Sequence, residues 1–137
     1  MATQYIVGTR NNNRSSLNTD IGINAQIIIY SGAIPANPAA APTGTLLAQF
    51  AGNATSFGAI ATGVLTANAV ASTTGAAGAG AGTVGTYYRI NTSAGAAVVQ
   101  GNVGGTGSGA DMILTNTNIA SGQAINFVSL TNTASGA

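Results

Sequence analysis

Three arginines and two aspartates carry all the side-chain charge of this 137-residue chain, which has no His and no Cys. They are Arg10, Arg14, Arg89, Asp20 and Asp111. Lys, Glu and Trp are absent as well. General acid–base chemistry needs two titratable groups close enough to set each other's pKa, and Asp20 and Asp111 sit far apart in the chain, each beside turn residues. Asp111 fits better as a side chain that caps the turn after a Gly-rich run. Serines and threonines are plentiful, but no base is present to activate one as a nucleophile. The expectation is a protein that is not an enzyme, with no catalytic residues, no metal ligands and no cofactor site.

The binding chemistries narrow in the same way. The glycine clusters Gly101–Gly105 and Gly75–Gly82 lack the GxxxxGK[ST] pattern and the strand-to-helix setting of a phosphate cradle. Three scattered arginines cannot lay down a nucleic-acid footprint, so no nucleic-acid partner is expected. What remains is recognition of another protein. Arg10 and Arg14 bracket three asparagines, and guanidinium forks suit carboxylates on a partner. Pro35, Pro38 and Pro42 stiffen a crossing segment that would lose little entropy on docking. Arg10, Arg14, Pro35, Pro38 and Pro42 are therefore the candidate contact residues.

The elements that must position these residues read as short strands. Ala25–Tyr30 is Ile-rich and apolar on both faces, as for a strand covered on both sides. Ala33–Gly44 is an extended surface crossing, and Thr45–Phe50 returns as a second strand. Gly63–Val70, Thr83–Ile90, Ala96–Val103, Asp111–Thr115 and Ala124–Thr131 complete the set, with Phe57 as a core plug and Thr83–Val103 as a hairpin. Ala71–Gly82, built of Ala, Gly, Ser and Thr, reads as a mobile loop. Residues 1–16 read as an N-terminal arm and residues 17–137 as one domain, with at most one helical turn over Ser16–Asn24. The fold class expected is all-β, a jelly-roll-like two-sheet sandwich of about eight strands with little or no helix. Alternation assigns Ile27, Ile29, Leu46, Phe57, Val84, Tyr88, Ile90, Val99, Val103, Ile113, Ile125 and Phe127 to its core.

Charged residues make up 4% of the chain, against about 25% in an average soluble domain. A net charge of +1 gives little self-repulsion, which suits a protein held in an assembly better than a concentrated free monomer. No run reaches the ~18 apolar residues of a spanning helix, and the N-terminus lacks the apolar core of a signal peptide. A membrane partner is not expected.

The strings IIIYSGAIPANPAAAPTGTLLAQF, GVLTANAV, YYRI and VVQGNVGGTGSGADMILTNTNIASGQAINFVSLT, spanning about Ala25 to Thr131, resemble a family of small capsid cement or decoration proteins of tailed bacteriophages and prophages. Members often begin with a charged short helix, where this chain has Asn13–Leu17. The resemblance implies a jelly-roll structural virion protein. It would be made in the host cytoplasm and bound to the outer surface of the capsid, joining copies of the major capsid protein. It also implies pairing with itself as a homodimer, or else a trimer. The alternative is a tail, baseplate or head-fibre-associated β-domain of the same virion.

Overall fold

A computed structural model describes residues 3–135 of the chain. Among these residues one α-helix, α1 (Val7–Ile21), precedes twelve strands: β1 (Gln26–Tyr30), β2 (Leu46–Ala51), β3 (Phe57–Ala61), β4 (Val64–Ala67), β5 (Thr73–Thr74), β6 (Thr83–Val84), β7 (Tyr87–Asn91), β8 (Ala97–Gly105), β9 (Met112–Leu114), β10 (Asn118–Ile119), β11 (Ala124–Ile125) and β12 (Phe127–Thr133), with a short 3-10 turn at Ala77–Ala79. Eight strands form one curled sheet in the order β2-β1-β7-β8-β9-β12-β4-β3, antiparallel except for the β8–β9 pair. Two ribbons, β6–β10 and β5–β11, complete a broadly sandwich-like all-β fold. The sheet curls over on itself, so both walls of the core belong to one continuous ladder.

Next to the β2 edge of that ladder lies β1, paired with β2 on one side and β7 on the other. Its inward side chains Ile27 and Ile29 are fully buried beside Tyr88 and Ile90 of β7. Ile28 and Tyr30 point the other way and pack with Tyr87 and Leu46, with the Tyr30 and Tyr87 rings stacked at 5.2 Å. Strand β1 is therefore covered on both faces, as its composition requires. Leu46 lies on the outer side, away from its assigned place, because the β1–β2 register skips Leu47 between Ile29 and Tyr30. That bulge moves Leu46 out of step with Ala48 and Phe50 and sends Leu47 into the core instead.

Two further core assignments fail for local reasons. Val84 is exposed, since Gly85–Thr86 breaks the expected long strand and β6 leaves to pair with β10. In β9 the parallel register with Val103 turns Met112 and Leu114 inward and leaves Ile113 half-buried. The stretch read as a mobile loop is folded. Thr73–Thr74 pairs with β11, the Ala76 amide donates to the Leu47 carbonyl at 2.7 Å, and Ala79 is buried. Its small residues let the backbone lie close along β2 and close that edge of the sheet.

The N-terminal arm is a correction to the sequence reading, and the expected boundary between residues 16 and 17 falls inside α1. This 15-residue helix has no side-chain N-cap and no acid in its first turn. Its Gly, Thr, Ser and Asn residues are weak helix formers, so in isolation it would not persist. Docking supplies what propensity lacks. Arg10, Asn11, Arg14, Leu17, Asn18 and Ile21 are the residues removed from solvent, a spacing that lines one helical face. Leu17 and Ile21 join the core, while Arg14 donates to Asn132 Oδ1 on β12.

Arg10 and Asn11 straddle the β3–β4 turn, Thr62–Gly63. Both turn residues have positive φ, 50° and 80°, as a two-residue I′ hairpin needs. The Gly63 amide donates to Asn11 Oδ1 at 2.7 Å, and a Cβ at Gly63 would lie 2.8 Å from Arg10 Cβ. Gly107 has nearly the same φ, 82°, but open space around it. Gly107→Ala should cost about 1–2 kcal/mol from backbone strain alone. Gly63→Ala should cost at least about 1 kcal/mol more, because the helix must move. Urea denaturation of the two variants measures the difference, and equal losses would show that α1 does not press on this turn.

Candidate functional site

The arginines named from the sequence are only partly at the surface. Arg10 and Arg14 are half-buried on the docked face of α1, with both Nε atoms enclosed and without a hydrogen-bond partner. Their spacing, followed by Leu17 and Ile21, is the signal that could have revealed the helix, but its face is mostly polar and escapes a search for apolar periodicity. Pro35 is buried against its own sheet, Pro38 is half-buried and Pro42 is exposed. The five candidates thus form two groups. The arginines are under the helix, and the prolines lie along a strap over the outer face of β1, β7 and β8.

On the inner side of the sheet a polar cluster forms beneath α1. Tyr88 is fully buried, and among the described residues its Oη makes no well-formed hydrogen bond, with the Asn132 side chain nearby. Gly101, opposite Tyr88 in the β7–β8 ladder, leaves the room this cluster needs: a Cβ there would lie 2.7 Å from Tyr88 Oη and 2.5 Å from Asp111 Oδ2. Burial pushes the Tyr88 phenol up, the nearby Asp111 carboxylate pushes it further, and the Asn132 side chain pulls against both. Asp111 thus neighbours a phenol, whereas Asp20 is exposed on the solvent side of α1. The two aspartates belong to separate environments.

On the outer side lies Arg89, 4% exposed and directly opposite Ile28 of β1 and Gln100 of β8. Its Nε donates to Gln100 Oε1 at 3.3 Å, and Nη2 has no partner among the described residues. Gln100 Nε2 donates onward to the Pro35 carbonyl at 2.6 Å. The Thr43 amide donates to Tyr87 Oη at 3.3 Å, and the Thr43 hydroxyl donates to the Ala33 carbonyl. These bonds hold the strap over the Tyr30–Tyr87 stack. Burial raises the Tyr30 phenol and the Arg89 charge partly offsets that rise. The enclosure of Arg89 depends on the strap and on pairing with β8, neither of which is local in the chain.

A cleft of about 280 Å³ opens at the C-terminal end of α1, lined by residues such as Asn18, Thr19, Ile23 and Ser56, and it holds no ionisable side chain. Among the described residues no group of three or more His, Cys, Asp or Glu is placed to hold a metal. No helix there is long and apolar enough to cross a membrane. Large apolar side chains are nevertheless exposed at separate points, among them Ile6 at 77%, Ile23, Ile34 and Val128. Comparison with protein-family models, curated proteins and solved structures finds no match to this chain.

Two of the buried phenols, Tyr30 and Tyr88, bear on the alkaline behaviour. Tyr30 and Tyr88 both have folded pKa values above the ordinary 10.0. Their contribution to stability is full below pH about 10 and is lost as pH rises toward the folded values, because the unfolded chain then releases protons that the folded chain retains. Stability measured by urea titration should therefore decline above pH about 10. Tyr88→Phe keeps the ring, removes the unpartnered hydroxyl and should flatten that decline while changing stability at pH 7 by less than about 1 kcal/mol. A larger loss at pH 7 would show that the hydroxyl is satisfied.

Proposed function

We propose that this chain is a structural virion protein, a capsid cement or decoration protein that binds the outside of the major capsid protein shell and stabilises the head. The observation that carries the reading is the surface. A sandwich-like body with almost no ionic groups presents exposed Ile6, Ile23, Ile34 and Val128 among neutral polar loops. Such a surface fits backbone-level and apolar contact with a repeating protein lattice. The resemblance of the Ala25–Thr131 strings to phage cement proteins adds the identity of the partner.

The mechanism is added interface. A shell filled with DNA is under outward stress, and a clip across a subunit boundary resists it by burying surface on both sides. A clip of ordinary size buries about 1,200–2,000 Å². Many copies on one lattice then turn modest contacts into large combined resistance. Because Arg10 and Arg14 are engaged with the chain's own sheet, the contact is assigned to exposed Tyr5–Val7 and to the Pro38–Pro42 end of the strap. Pairing with a second copy would run through β3, which among the described residues pairs only with β4 and carries no charged residue or proline to block further strand addition.

Particles lacking this protein should still assemble, but release DNA at a lower temperature than complete particles, and adding purified protein back should restore the difference. Dye-accessible DNA measured during a thermal ramp reads this out. Equal release temperatures would remove the cement reading and favour a tail or fibre location.

A further inference from the structure

We infer that Arg89 is the cation of a carboxylate-binding site, closed in this structure by the 33–43 strap and opened by an Asp or Glu side chain of a partner protein. A guanidinium at 4% exposure has lost nearly all of its hydration, and here it recovers one neutral hydrogen bond, to Gln100. Nη2 is left without an acceptor. Two strand positions away on the same face of β7, Asn91 Oδ1 is also buried and unpartnered. A buried charge is normally paired, because desolvation without a counter-charge is strongly unfavourable. Neither aspartate can serve. Asp111 lies with Tyr88 and Gly101 on the opposite side of the sheet, and Asp20 is on the outside of α1, whose Leu17 and Ile21 pack into that same opposite side.

The cover over Arg89 has the properties of a removable part. The strap runs from Ala33 to Thr43 with no regular secondary structure. It is tied to the sheet beneath by the Gln100–Pro35 bond and by the weaker Thr43–Tyr87 bond. Its prolines fix φ and its Asn37–Ala40 turn is closed within the strap, so it keeps its shape whether seated or lifted and displacement costs little order. Beneath it the stacked Tyr30 and Tyr87 rings form a flat apolar wall beside the cation. A guanidinium next to aromatic rings, with one fork edge unused, takes a carboxylate in bidentate geometry. A chain of net charge +1 has no acidic surroundings to repel such a partner.

A buried charge kept for a partner should lower the stability of the free protein, and this separates a binding role from a structural one. Arg89→Met fills the same space without charge. It should raise Tm by about 3–10 °C while weakening binding of a hexaglutamate peptide at least about tenfold. Arg89→Lys should retain part of that binding. Wild-type protein should bind hexaglutamate and not hexaglutamine by calorimetry, with faster amide exchange across 33–43 in the complex. An Arg89→Met protein less stable than wild type, or equal affinity for the two peptides, would overturn the inference. The partner class rests on the reading of the chain as a protein-binding virion component, but the peptide assay uses the isolated protein. Its failure removes the Arg89 site and leaves shell binding standing, whereas absence from the shell removes the cement reading and leaves the peptide result intact.

Discussion

Strand β1 has to be buried on both faces, and the rest of the structure follows from that requirement. Ile27 and Ile29 need a core on one side, and Ile28 and Tyr30 need a cover on the other. The first need is met by the curl of the eight-stranded sheet, which brings Phe50 of β2 against Phe127 of β12 at 5.4 Å. The second is met by the proline strap and by the Tyr30–Tyr87 stack. Complete burial of one such side chain contributes about 1.5–3 kcal/mol. In a chain with so few charges, burial of this kind has to supply most of the stability.

The polar groups that are buried stand out against that background. Tyr88 Oη, the Nε atoms of Arg10 and Arg14, Arg89 Nη2 and Asn91 Oδ1 all lack well-formed hydrogen bonds among the described residues. The arginine Nε atoms lie under α1, and the Arg89 and Asn91 atoms lie on the strap side of the sheet. Helix and strap are also the parts of the chain held by few bonds to the sheet. Weak attachment thus goes with unspent hydrogen-bonding capacity, on α1 itself and on β7 beneath the strap, the combination expected where a partner docks. The sheet between them is the rigid part, with its polar backbone groups spent in the ladder.

How much of this was legible in the sequence depended on whether a residue's surroundings were local. The strands β1, β2, β4, β7, β8, β9 and β12 were legible because alternation is set by the pleat itself. Leu46, Val84 and Ile113 were misplaced because a bulge, a strand break and a parallel register shift the faces, and none of these marks composition. The helix was missed because its docked face is Arg10, Asn11, Arg14 and Asn18 with only Leu17 and Ile21 apolar, so its period is written in polar residues. The Ala71–Gly82 stretch looked mobile because small residues signal flexibility in isolation, whereas against β2 they signal close approach. Of the candidate contacts, Arg10 and Arg14 are half-buried, and that burial was not legible because it follows from the β3–β4 turn far along the chain.

The central proposal is that this sandwich, with so few charged side chains, adds interface to a protein lattice. A cryo-electron microscopy reconstruction of purified particles, with the chain fitted into density, tests it most directly. The account predicts a copy at every equivalent position on the outer capsid surface, bridging neighbouring capsid subunits. Density confined to the tail or to a single vertex would contradict it.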